Sequence, residues 1–203
     1  HDIAQIIIDN LAQREQLFDR VEIVRPGFLN LTVKPAIWQE VLREIEMEGS
    51  AYGRAELGQR RRVLVEYVSA NPTGPLHVGH GRGAAVGQAV ANMLKAVGYD
   101  VVSEYYINDA GRQMKLLGTS VYARYEELSD RPVEFPSEGY HGAYITALAE
   151  RVKQQLGPEL TGRAATEVEE RCRAFAYQEL LSLIREDLKS FGIEFESWFS
   201  EAS

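Results

Sequence analysis

A single cysteine, Cys172, is all the chain contains, which excludes an internal disulfide and points to a reducing compartment. No stretch approaches the roughly 18 apolar residues that span a bilayer, and the most apolar run near the start, Ile6-Ile7-Ile8, passes at once into Asp9 and Asn10. No signal peptide is recognisable either, so the expectation is a cytoplasmic protein with no membrane partner. Basic charge is also short: 22 Lys and Arg face 30 Asp and Glu, a net charge of −8. That excludes a protein that wraps nucleic acid through bulk electrostatics alone. The one compact basic cluster, Arg60-Arg61-Arg62, reads either as the solvated lead-in to a strand or as a phosphate contact. What is present, 45% hydrophobic and 26% charged residues, is the composition of an ordinary globular chain of one or two small domains. The sequence opens on His1 and stops at Ser203, after an aromatic-rich turn, and both ends read as cut.

Periodicity organises the chain into two blocks. Apolar residues at helical spacing predict a helix over Ile3–Arg14. Two runs of strand formers, Val21–Val24 and Phe28–Val33, flank the turn signal Arg25-Pro26-Gly27. A second helix follows over Trp38–Met47, and the block reads as a small α+β unit. Residues 50–62 are polar and punctuated by glycine, a linker. Val63-Leu64-Val65-Glu66-Tyr67-Val68 is then a nearly continuous apolar run of the kind buried on both faces of a parallel sheet. Its one acid, Glu66, calls for an explanation. A loop, a helix from about Leu76 to Gly98 and a strand over Val101–Ile107 complete a βαβ unit, whose ligands belong beyond the strand carboxyl ends. Helical patterns over Arg112–Leu128, Ala143–Leu156 and Val168–Phe191 form a helical insertion, with Gly192 as a stop. No repeat or low-complexity tract occurs.

Chemistry concentrates in Glu66-Tyr67-Val68-Ser69-Ala70-Asn71-Pro72-Thr73-Gly74-Pro75-Leu76-His77-Val78-Gly79-His80-Gly81-Arg82. A helix N-terminus attracts phosphate, and Gly79, Gly81 and Gly83 permit close approach by a nucleotide. Neither a Gly-x-x-x-x-Gly-Lys-Ser/Thr phosphate loop nor a dinucleotide fingerprint is present, so another nucleotide mode is needed. Two histidines three residues apart on the first turn can donate hydrogen bonds to a phosphate as charge develops. A zinc pair would need a third ligand from His141, Cys172 or a carboxylate. Simple capping of the helix start is the remaining alternative.

The quartet His77-Val78-Gly79-His80 after a strand resembles the first signature of class I aminoacyl-tRNA synthetases. Ser69 to Arg82 resembles the arginyl member in particular, as do Glu104 to Gln113 and Gly139-Tyr140-His141-Gly142. The similarity covers essentially the whole chain. It implies an α/β fold: the first half of a Rossmann-type nucleotide-binding domain over 56–114, followed by a helical connective insertion over 115–203. Residues 1–55 resemble part of the additional N-terminal α+β domain that meets tRNA. It further implies an arginine–tRNA ligase with His77 and His80 as catalytic residues, and His77, Gly79, His80 and Gly81 as the ATP site. Glu66, Ser69, Asn71 and His80 are implied for arginine, Ser69 with a purely structural alternative. ATP enters as substrate with Mg2+, arginine tRNA is the partner, no metal is resident and a monomer is favoured. Asp109 is equally a helix cap or a substrate contact. A second signature loop, the rest of the arginine pocket and an anticodon-binding domain are expected beyond Ser203, so the chain alone is expected to be inactive. An adenylyltransferase of the same superfamily and a non-catalytic tRNA-binding paralogue stay open.

Overall fold

The computed structural model describes residues 2–11 and 14–203, which divide into two compact units at Arg54/Ala55. In the first, helix α1 (Asp2–Asp9) buries Ala4 and Ile8. The expected helix over Ile3–Arg14 therefore stops a turn early, and Ala12 and Gln13 fall outside the described residues. A short helix α2 (Arg14–Leu17) leads into β1 (Phe18–Val24), which pairs antiparallel with β2 (Phe28–Val33) around the Arg25-Pro26-Gly27 turn. Helix α3 (Pro35–Glu48) opens with proline in its first turn, where a missing N–H costs nothing. None of its residues is buried.

The second unit is built on a parallel sheet of order β3-β4-β5, with β3 at Arg62–Glu66, β4 at Asp100–Ile107 and β5 at Ser197–Ser200. Helix α4 (Val78–Ala96) makes the crossover from β3 to β4, as a parallel pair requires. Central strand β4 buries every second residue: Val101, Ser103, Tyr105 and Ile107. Strand β3 is less covered within this chain than its apolar run predicts. It forms an edge of this sheet, with Leu64 57% exposed and Glu66 exposed too. An apolar run signals burial on two faces only where both faces are covered.

Helices α5 (Arg112–Leu128), α6 (Ala143–Leu160) and α7 (Ala165–Ser190) form the helical part. Helix α6 continues through Gly157-Pro158, one turn beyond the expected end. Met114, Leu117, Val121, Ile145, Val152 and Cys172 pack in one core, while Ile184 and Leu188, further along α7, join Tyr67, Ala84, Tyr105 and Ile193 beneath the sheet. A single 26-residue helix thus ties the helical part to the sheet. Burial pushes the Cys172 thiol up to about 12, so it behaves as a small apolar side chain.

Strand β5 is missing from the sequence reading, which stops the last helix at Gly192 and reads only an aromatic-rich turn beyond it. Phe195 and Trp198 pack on Tyr105, at 5.5 and 4.5 Å between ring centroids, and draw the chain back to the sheet. Helix α4 crosses close to β3 at Gly87, where a Cβ would lie 2.2 Å from the Tyr67 ring. Gly87→Ala is expected to destabilise the protein by about 1–3 kcal/mol, the cost of overpacking, although alanine favours a helix by about 1 kcal/mol. A denaturant midpoint unchanged or raised by the substitution would contradict that close approach.

Candidate active site

The loop from Tyr67 to Leu76 leaves the carboxyl end of β3 and enters α4. Two consecutive non-glycine residues, Val68 (φ +67°) and Ser69 (φ +40°), sit in the left-handed region, where a β-branched valine is a rare outlier and strain collects at functional sites. This kink brings the Ser69 hydroxyl back to donate to Glu66 Oε1 at 2.6 Å. Ser69 Oγ in turn accepts the Tyr106 N–H at 3.2 Å, so one hydroxyl joins the ends of β3 and β4. Asn71 Nδ2 donates to Gln113 Oε1 at 2.6 Å. The backbone of this loop is held by two tyrosines: Tyr105 donates to Ala70 O at 2.9 Å and Tyr144, from α6, to Thr73 O at 2.8 Å.

At the start of α4 the two histidines cap the helix reciprocally. The Gly79 N–H donates to His77 Nδ1 at 3.1 Å, and the His77 N–H donates to His80 Nδ1 at 3.2 Å. An Nδ1 that accepts carries no proton, so each neutral ring holds its hydrogen on Nε2. The rings stack with centroids 3.8 Å apart. Burial, and then the neighbouring His77, hold His80 below its ordinary value of 6.5, which favours that neutral form. Capping and donation, alternatives in the sequence, are therefore compatible: capping uses Nδ1 and leaves both Nε2–H groups to donate. Gly79 has a further constraint, since a Cβ there would lie 2.9 Å from the His77 ring. Gly81 and Gly83 meet nothing within 4 Å, so the helix start is open to a ligand.

No hydrogen bond among the described residues joins the Glu66–Ser69 pair to the histidine pair; they are two stations on one loop. Among the described residues, no three His, Cys, Asp or Glu side chains gather to hold a metal ion. The strand ends are rich in acid. The Tyr106 hydroxyl is pushed above its ordinary value by lost hydration first and then by Glu201, with Asp109 and Glu66 adding to it. The sequence reading gives neither Tyr106 nor Glu201 a place in the site, because nothing local marks them for one.

Asp109 is corrected as a helix cap: the N-cap of α5 is Gly111, with no side-chain cap. Its Oδ2 instead accepts from the hydroxyls of Tyr177 at 3.0 Å and Ser200 at 2.7 Å, and its Oδ1 from the Ala202 N–H at 3.0 Å. It latches α7 and the segment after β5 to the end of β4. Burial alone would raise its pKa, but the donors Ser200, Ala202 and Tyr177 outweigh it and hold the carboxyl below 3.8. A carboxylate lowered in the folded state stabilises above its unfolded value and loses that contribution as pH falls through the folded one. The stability gap between the parent chain and Asp109→Asn is thus expected at neutral pH and should shrink below about pH 4. Urea midpoints across that range check it, and a pH-independent gap would contradict the latch.

Comparisons with known proteins bear on the family of the chain. A family model described as tRNA synthetases class I (R), catalytic domain, matches residues 42–144. Arginine–tRNA ligase of Lawsonia intracellularis is 46% identical over 200 residues, covering 98% of this chain and 36% of the relative. That of Desulfovibrio desulfuricans is 48% identical over 201 residues, again 98% and 36%. The chain therefore spans about a third of the length of the curated relatives it matches. A solved Campylobacter jejuni chain superposes with a TM-score of 0.71 at 33% identity, covering 84% of this chain and 37% of its own length. Thermus thermophilus arginyl-tRNA synthetase superposes with a TM-score of 0.54 at 25% identity, covering 99% and 32%. With that model matched across the strand, the histidine loop, the helix and the second strand, the chain belongs to the class I tRNA synthetases of the arginyl type, residues 42–144 matching their catalytic domain.

Proposed function

We propose that this chain carries the first half of a site that activates arginine with ATP and passes it to arginine tRNA. The observation that carries the reading is the reciprocally capped histidine pair, with two neutral Nε2–H donors at the start of a 19-residue helix. Arginine activation is an in-line attack by the substrate carboxylate oxygen on the α-phosphorus of ATP. One P–O bond forms as the bond to pyrophosphate breaks, and no proton need move. Charge builds on the equatorial oxygens of the pentacoordinate phosphorus, and fixed donors that need not reorganise stabilise it. His77 and His80 are those donors. Gly79 and Gly81 keep the helix N-terminus open for the nucleotide, which brings Mg2+ on its phosphates as part of the substrate.

Glu66, Ser69 and Asn71 face the cationic end of arginine, with His80 between the two substrates. A carboxylate suits a guanidinium or an ammonium through charge-assisted hydrogen bonds, and the Ser69 donor fixes the Glu66 rotamer. We assign residues 1–55 to a tRNA-contacting domain, 56–114 to the nucleotide-binding half and the helices from 115 onward to the insertion near the tRNA acceptor end. No helix among the described residues is long and apolar enough to cross a membrane. A cytoplasmic, monomeric enzyme is part of the proposal.

The test is aminoacylation by a full-length enzyme that carries these residues, with each amino acid offered in turn. Charging of arginine tRNA with arginine alone is expected, and adenylylation of a different acceptor would favour the superfamily alternative. The 203-residue chain by itself is expected to give no ATP–pyrophosphate exchange above background with arginine and tRNA present, and robust exchange would sink that expectation.

A further inference from the structure

The Asn71 loop is pinned through its backbone. Tyr105 holds Ala70 O, Tyr144 holds Thr73 O, and the Thr73 N–H closes onto Asn71 O at 2.8 Å. None of these fixes the Asn71 side chain. Its amide is held by Gln113, 42 residues along the chain and in the first turn of α5, through Nδ2 to Oε1 at 2.6 Å. The backbone that carries Gln113 is anchored on both sides. Met114 beside it is buried in the helical core, and the turn into α5 begins at Asp109, whose carboxylate takes three hydrogen bonds.

A side-chain amide can offer a ligand either an acceptor or a donor, and half a turn about its last bond exchanges the two. Committing Nδ2 to Gln113 leaves Oδ1 free, and a cation needs an acceptor. We infer that Gln113 is a positioning residue that fixes the Asn71 amide so that Oδ1 accepts from a cationic group of the substrate. The inference rests on the reading of Glu66 and Asn71 as arginine contacts and adds the element that orients one of them. Gln113 touches no substrate in this account and works through Asn71 alone.

Arginine-dependent and ATP-dependent kinetics of adenylate formation test it in a full-length enzyme carrying these residues. Gln113→Met keeps length and helix preference but has no acceptor, whereas Gln113→Glu retains one. The methionine variant should lose about tenfold in kcat/KM for arginine, the factor for one net hydrogen bond, mostly in KM. Its KM for ATP should not move. The glutamate variant should recover to within about threefold of the parent, on the same reasoning. Asn71→Ala separates the two levels of the argument. If it leaves arginine use intact, the arginine-site reading fails and this inference with it. If it is damaging while Gln113→Met is silent, or if Gln113→Glu is no better than Gln113→Met, the positioning role alone is overturned. Equal losses for ATP and arginine would likewise overturn it, in favour of a structural role at the start of α5.

Discussion

His80→Ala, in a full-length enzyme carrying this sequence, is expected to lower the rate of arginyl-adenylate formation by about 10²–10³, or about 2.7–4 kcal/mol of transition-state stabilisation. The ATP Michaelis constant should change little. A preorganised donor earns its effect only where charge appears, and His80 is already neutral, stacked and oriented before any ligand arrives. His77→Ala should act similarly. It also removes the acceptor for the Gly79 N–H, so part of its effect is on the helix start. Each ring seats the other, so the double variant should lose less than the sum of the two in free energy. Pre-steady-state formation of the adenylate reads this directly. A normal rate with weakened ATP binding would mean that the histidines hold the nucleotide and not the transition state.

Glu66→Gln should produce the second largest effect, a loss of about 1.5–3 kcal/mol in arginine use, the range for a hydrogen bond to a charged group, with ATP use nearly unchanged. The neutral amide keeps the shape and still has an oxygen to accept the Ser69 hydroxyl, now found on Glu66 Oε1. Only the charge facing the substrate is removed. Glu66 is exposed at the strand end, so the substitution leaves no buried polar group unpaired and should not unfold the protein. Steady-state kinetics with each substrate varied in turn check the prediction. Equal damage to both substrates would indicate that Glu66 serves the fold.

The strand–loop–helix–strand order and the histidine loop were legible because they are local. Helix α5 runs over Arg112–Leu128, as its periodicity predicts, and the glycines after His77 mark an open helix start at short range. What escaped depends on contacts between distant residues. The apolar run at Val63–Val68 reads as doubly buried, yet β3 is a sheet edge and Leu64 stands in the open. The chain spans about a third of its relatives' length, so this is the edge of the sheet formed within these residues. Strand β5 is four residues long and follows a long helix, so its alternation is too brief to register; it is its aromatic packing on Tyr105 that makes it a strand.

The site divides in the same way. The histidine pair stands out by residue type and spacing and Glu66 as the one acid in an apolar run, whereas Asn71 enters only through the family resemblance. Their supports do not: Tyr144 reaches Thr73 across 71 positions, and Tyr177 reaches Asp109 across 68. Asp109 has the sequence position of a helix cap, but its carboxylate turns to Ser200 and Ala202, which enter its surroundings only once β5 has paired. The left-handed backbone at Val68 and Ser69 is likewise invisible in residue types that seldom adopt it.

The central claim is that one loop presents arginine to Glu66 and Asn71 and ATP to the histidines at the start of α4. A crystal structure of a full-length enzyme carrying this sequence, with arginine and a non-reacting ATP analogue bound, tests it most directly. The account predicts a cationic group of arginine within hydrogen-bond distance of the Glu66 carboxylate and Asn71 Oδ1, and the α-phosphate facing the Nε2 atoms of His77 and His80. Arginine seated away from Glu66, or a nucleotide whose phosphates lie away from both histidines, would contradict it.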